Sequence, residues 1–152
     1  MNTLNAGEIC SRIVVVAERA TPLAAAARRM REQHVGCLLV VDVTDAGRVV
    51  VGMLTDRDIV TAVVAEELDA RTLRVEDVMT TDVVTAQETS SFADLLATMR
   101  RKGLRRLPVV DARGLLVGVV TLDDLLEVVA GQMRTIVQAI ESGQRREREV
   151  RR

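Results

Sequence analysis

The chain has 152 residues, 48% of them hydrophobic, and a formal net charge of −1 from 21 basic and 22 acidic side chains. That length allows one ordinary domain or two very small ones, with enough chain for a proper core. Balanced charge argues against a dedicated polyanion binder, and no apolar run approaches the ~20 residues of a membrane-spanning helix.

The opening segment, MNTLNAGEICSR, has neither a basic start nor an apolar block, so no signal peptide is expected and the chain reads as soluble and cytoplasmic. The β-branched run 14–16 predicts a strand. Thr21-Pro22 predicts a helix start, with Thr as N-cap and Pro at the first helical position. Leu23, Ala26, Ala27 and Met30 continue it at helical spacing, and His34 falls at its end. Strands are expected at 38–41 and 49–54 around the turn signal Asp45-Ala46-Gly47, with Thr55 opening a helix through Ile59, Val60 and Val63. Residues 71–81 read as a connector containing a short helix at 75–79. The order then returns. A strand is expected at 83–85, and the capping-box pattern of Ser91 and Asp94 precedes Leu95, Leu96 and Met99. Further strands at 107–110 and 115–120 precede a helix that Thr121 opens through Leu125, Leu126 and Val129. From Gln132 a further helix is expected, amphipathic to about Ile140 and ending in QRREREVRR, which reads as a solvated helix end or a disordered tail.

The chain repeats itself. Residues 30–42 (MREQHVGCLLVVD) and 99–111 (MRRKGLRRLPVVD) share six of thirteen positions at an offset of 69. GMLTDRD at 52–58 and GVVTLDD at 118–124 align at an offset of 66, and the lost residues fall in a hairpin loop. Two β-α-β-β-α copies of this size suggest small modules that complete each other's core.

Composition narrows the chemistry. Trp and Tyr are absent and Phe92 stands alone among aromatics, so a planar ligand would sit between aliphatic side chains and backbone. This weakens single-stranded nucleic-acid binding, which uses aromatic platforms. Cys10 and Cys37 are too few for a disulfide framework, and with His34 they fall short of a four-ligand zinc site. With one histidine and no nucleophile near it, no catalytic constellation is visible.

Gly-x-x-Thr-x-x-Asp occurs twice, each time at a strand-to-helix junction. The first amides of a helix lack intrahelical partners and favour anions. The Thr55 and Thr121 hydroxyls could donate to phosphate, and Asp58 and Asp124 could accept from a vicinal diol, as acidic residues read ribose. Thr-x-x-Asp also suits a capping box, which needs no ligand. Gly52 and Gly118 let their strands approach a ligand or the other repeat closely.

These features resemble a tandem pair of CBS domains, a Bateman module. The carriers are Thr21-Pro22-x-x-x-Ala26, the HVGCLLVVD and LRRLPVVD strands, GMLTDRD, GVVTLDD, and the connector Val75-Glu76-Asp77-Val78-Met79-Thr80. The resemblance implies an α/β fold of two β-α-β-β-α repeats packed as a pseudo-two-fold pair with a C-terminal helical tail. The expected division is a first repeat at 5–70, a second at 71–131 including the connector 71–81, and a helical, partly disordered tail at 132–152. It further implies a non-catalytic sensor that holds an adenosine-containing ligand between the repeats. AMP, ADP or ATP is favoured, NAD and S-adenosylmethionine are the other candidates, and no cofactor is required. A homodimer is expected, with a regulated protein partner.

The resemblance assigns two clefts. In one, Thr121 and Asp124 hold phosphate and ribose, Thr21, Ala26, Val35 and Gly36 line the base with Val119, and Arg105 and Arg106 supply positive charge. In the other, Thr55 and Asp58 take those roles, Met53, Ser90 and Leu104 line the base, and Arg57 is an additional phosphate ligand. The Thr121 cleft carries more positive charge, which favours a phosphorylated ligand there. Two rivals stand beside this reading: a ligand-free protein-interaction module with Thr55 and Thr121 as plain caps, and a nucleic-acid binder working through the basic run RRKGLRR at 100–106. Scarce aromatics and balanced charge make the last the weakest.

Overall fold

The computed structural model describes residues 3–151; Arg152, the last residue of the expected tail, and the first two residues of the opening segment lie outside them. The first repeat runs β1 (Val16–Ala17), α2 (Leu23–Gln33), β2 (Cys37–Thr44), β3 (Gly47–Thr55) and α3 (Asp56–Ile59), preceded by α1 (Ala6–Ile9). The second runs α4 (Val75–Val78), β4 (Ala86–Gln87), α5 (Phe92–Lys102), β5 (Arg106–Val110), β6 (Leu116–Thr121) and α6 (Leu122–Val150). Each repeat forms one three-stranded sheet. β1 pairs parallel with β2 and β2 antiparallel with β3, and β4, β5 and β6 repeat the pattern. Even the register shifts recur, between Val40 and Val41 and between Val109 and Val110.

The helices form where apolar spacing gives them a face to bury. Leu23, Ala26 and Met30 of α2 lie against Leu38, Val40 and Leu54, and Leu95 and Met99 of α5 lie against Leu107, Val109 and Val120. Both helices end in a left-handed residue whose N–H returns to the last turn, His34 (φ 56°) in the first repeat and Gly103 (φ 66°) in the second.

Each repeat's leading segment packs into the other repeat. Ala6, Ile9 and Cys10 join the core of the second sheet, and Leu73, Val75, Val78 and Met79 of the connector join the first. The exchange is symmetric down to single hydrogen bonds. Ala6 N–H donates to Ser90 O, and Val75 N–H donates to Thr21 O. Ser11 and Val119 exchange a pair of backbone bonds, as do Thr80 and Met53. Here the two strand glycines find their use. A Cβ on Gly52 would stand 2.7 Å from Met79 Sδ and 3.0 Å from Thr80 O, and one on Gly118 would collide with the Ser11 carbonyl. The close approach is to the other repeat's leader.

Several expectations need correction. Helix α2 starts one residue later than Thr21-Pro22 suggested, with Pro22 at the cap position and no side-chain cap. The reason is that Leu73 O accepts the Leu23 N–H from outside, which frees Thr21 Oγ1 to accept the Glu18 N–H in the preceding turn. The runs 14–16 and 83–85 are mostly outside the sheets, whose first strands begin at Val16 and Ala86. The helix after Thr55 gives way to a π-helical turn, Val60–Val64. After Thr121 a single helix crosses Gly131 and Gln132 without a break and continues through the polar tail to Val150, so the tail is helical where disorder was an alternative.

Candidate functional site

At both Gly-x-x-Thr-x-x-Asp junctions the threonine and aspartate bind each other's backbone. Thr121 Oγ1 accepts the Asp124 N–H at 3.1 Å, and Asp124 Oδ2 accepts the Thr121 N–H at 2.8 Å. Thr55 and Asp58 show the same distances. These are complete capping boxes. They also change the expected anion chemistry. The Asp56, Arg57 and Asp58 N–H groups of α3 are all taken, by Gly36 O, Asp56 Oδ1 and Thr55 Oγ1. In α6, Leu122 N–H is taken by Arg105 O and Asp124 N–H by Thr121 Oγ1. What each junction offers a ligand is the threonine hydroxyl hydrogen and the second carboxylate oxygen, and at α6 also the Asp123 N–H, whose counterpart on Arg57 is taken.

Both junctions open into clefts between the repeats. One cleft, of about 220 Å³, is bounded by Thr121, Asp124 and Val119 on the second repeat. Its other wall is aliphatic and belongs to the first: Val14, Val15, Val35 and Leu39, with Ser11, Ile13 and Cys37. The other cleft, of about 180 Å³, is bounded by Met53, Thr55 and Asp58 on the first repeat and by Thr80, Asp82, Val83, Val84 and Leu104 opposite. The linings correspond position by position, Ser11 to Thr80, Ile13 to Asp82, Val35 to Leu104. Arg106 lines both. It pairs with Thr121 across the β5–β6 ladder, as Cys37 pairs with Thr55 across β2–β3. Burial pushes the Cys37 thiol above its ordinary 9.0, while the neighbouring Arg106 guanidinium pulls it back.

The CBS domain family matches this chain twice, over residues 6–65 and 75–131. The chain is a tandem CBS pair. An uncharacterized protein of Methanopyrus kandleri, MK0525, is 31% identical over 95% of this chain and 72% of its own length. Hypoxic response protein 1 of Mycobacterium tuberculosis is 35% identical over 80% of this chain and 78% of its own. A crystal structure of Hypoxic Response Protein I with two coordinated zinc ions superposes with a TM-score of 0.71, covering 82% of this chain and 98% of that one at 31% identity. The CBS domain pair of protein MJ0100, solved with 5′-methylthioadenosine and S-adenosyl-L-methionine, superposes at 0.69, covering 84% and 97% at 26% identity. Among the described residues of this CBS pair, no three His, Cys, Asp or Glu side chains group as metal ligands, and no helix is long and apolar enough to cross a membrane.

The CBS pair gathers some of the residues assigned from sequence and disperses others. Val35, Arg106, Val119, Thr121 and Asp124 meet in one cleft, and Met53, Thr55, Asp58 and Leu104 in the other. Ala26 is fully buried in the first core, and Thr21 is engaged in its turn. Gly36 lies against the Asp56 carboxylate. Arg57 and Ser90 are not in the lining of the Thr55 cleft. Arg105 points into a groove between α5 and α6, beside Phe92, Leu96 and Leu122. Neither run 14–15 nor 83–84 was assigned to a site from sequence, yet both wall a cleft. Their β-branched composition was the available signal, and it reads equally as strand.

Proposed function

We propose that this CBS pair is a non-catalytic sensor that binds an adenosine-containing ligand, AMP, ADP or ATP by preference, in the Thr121 cleft. The supporting observation is a cleft lined by Val14, Val15, Val35 and Leu39 of the first repeat and Val119 of the second, with one carboxylate, Asp124, and one arginine, Arg106, in the same lining. The aliphatic walls take the base, Asp124 Oδ1 accepts from the ribose diol, and Arg106 meets the phosphate. At about 220 Å³ the slot is smaller than the ~300–1,000 Å³ of pockets that enclose a whole ligand, so phosphates extend to its mouth. The MJ0100 pair, solved with two adenosine derivatives, supports the ligand class. Charge still favours this cleft for phosphate, though Arg105 adds nothing. The Thr55 cleft carries two carboxylates, Asp58 and Asp82, where this one carries Asp124 alone.

The test is thermal unfolding followed by far-UV circular dichroism, since the chain has no Trp or Tyr. A ligand at about 100 times its dissociation constant stabilises by roughly 2.7 kcal/mol, which moves the midpoint by several degrees. The shift should occur with an adenine nucleotide, vanish in Asp124→Ala and persist in Asp58→Ala. Both variants lose half a capping box, about 1 kcal/mol, so ligand-induced shifts rather than absolute midpoints are compared. No shift with AMP, ADP, ATP, NAD or S-adenosylmethionine at millimolar concentration favours the second reading, a ligand-free interaction module. The complete capping boxes speak for that alternative.

The pair acts as a homodimer in this reading. Leu126, Val129, Met133, Ile136 and Ile140 of α6 recur every three and four residues, each at least 38% exposed. That spacing is a coiled-coil seam. The first turn of α6 holds Asp123, Asp124 and, one turn on, Glu127, and its end holds Arg145, Arg146 and Arg148 interleaved with Glu147 and Glu149, a small basic excess. Two copies laid antiparallel set each basic end against the other's acidic start.

A further inference from the structure

Arg106 is the one described residue that lines both clefts. By the internal repeat it is the counterpart of Cys37, and the two approach across the pseudo-two-fold axis that relates the clefts. A symmetric pair would carry the same residue at both positions. Here one position holds a short, uncharged thiol and the other a long cation. By symmetry Arg106 belongs to the Thr55 cleft, and its length carries it past the axis into the other. Each cleft otherwise shows only carboxylates as charged lining: Asp58 and Asp82 on one side, Asp124 on the other.

From this geometry we infer that the two clefts compete for a single guanidinium, so that a phosphorylated ligand in one weakens phosphate binding in the other. The inference rests on the adenosine reading above and extends it to the regulation of that site. An arginine forks two hydrogen bonds to one phosphate in a fixed plane and cannot present the same fork to a second phosphate across the axis. The first anion to bind takes the cation. The second enters a cleft whose remaining charges are all negative. The coupling is reciprocal, as linkage requires, and it is absent for a ligand without phosphate. The pair then behaves as a graded sensor: one cleft fills at low nucleotide and the other only at much higher concentration.

The test is calorimetric titration of the full chain with AMP and, as the uncharged control, adenosine. In the wild type the ratio of second to first dissociation constants should be roughly tenfold or more larger for AMP than for adenosine, the scale of one charge-assisted contact. Saturation at one AMP but two adenosines per chain is the same result in its strongest form. In Arg106→Gln the first AMP should bind more weakly and the excess should disappear, and Arg106→Lys, which keeps one cation of similar reach, should retain part of it. Equal ratios for the two ligands, saturation of both at one per chain, or an excess that survives Arg106→Gln overturns the inference while leaving the adenosine reading intact. Binding of neither ligand overturns the inference, and the adenosine reading falls with it when ADP, ATP, NAD and S-adenosylmethionine also leave the unfolding midpoint unmoved.

Discussion

His34 and Gly103 occupy the same place in the two repeats, each closing a helix with a positive φ of 56° and 66°. A side chain in that conformation costs about 1–2 kcal/mol, and glycine avoids the cost while losing more entropy on folding. His34→Gly should therefore raise stability by about 0.5 kcal/mol, a degree or two in unfolding midpoint, read by circular dichroism. Cys37 gives a pH dependence. Burial lifts its thiol above 9.0, so the folded chain holds its proton after the unfolded chain has begun to lose it. Stability from this group is full below about pH 9 and declines as pH rises further. Alkylation of Cys37 by iodoacetamide should consequently be slow at pH 8 and accelerate above 9. Arg106→Gln removes the guanidinium that opposes burial, so the rate at a given pH should fall further. A rate unchanged by that substitution would show the two side chains to be apart.

At the scale of elements, α6 makes the firmest prediction. Ile136 sits mid-seam and is 60% exposed, so Ile136→Glu leaves the core untouched. The wild type should sediment as a dimer at micromolar concentration and the variant as a monomer with unchanged helicity. A monomeric wild type would remove the homodimer from the proposal. Elements are also where sequence and structure part most instructively. The order β-α-β-β-α was legible twice, because Leu23, Ala26 and Met30 or Leu95 and Met99 can be buried together only on a helix. The run Val14-Val15 reads as strand because propensity reports a stiff, extended, half-buried backbone, and a cleft wall asks for the same thing. Gly131 did not break α6, since a lone glycine costs only about 1 kcal/mol and a long helix absorbs it. For the site, the paired threonines and aspartates were legible as a repeated motif. That Arg105 would face a helix groove and Arg106 both clefts was not, because Arg105 lies in the bend before β5 and Arg106 is its first strand residue, and the sequence does not mark where the bend ends.

The whole molecule is held together by exchange. The second core contains Ala6, fully buried, from the far end of the chain, and the first contains Val75 from the connector. Neither repeat is complete without a segment that precedes the other. Unfolding in urea should be a single transition, coincident by circular dichroism and by the exposure of Cys10 and Cys37 to a thiol reagent. Removing the first twelve residues should unfold the second repeat preferentially, with β4–β6 losing amide protection before β1–β3. Equal protection of both sheets after that deletion would show the leader to be dispensable.

The same exchange sets a timetable during translation. Residues 13–81 contain every piece of the first core and can close as soon as the connector emerges. The leader cannot. Its backbone partner Val119 is made roughly 110 residues after Ser11, a wait of about 5–20 seconds at ordinary elongation rates of about 5–20 residues per second. For that interval Ala6, Ile9 and Cys10 have no second sheet to cover them, and the first repeat is already shaped to accept a leader of the same pattern at the place its own connector must fill. That place stays open to the wrong leader until the connector emerges, and once Val75 and its neighbours have filled it the leader is left to wait for its own sheet.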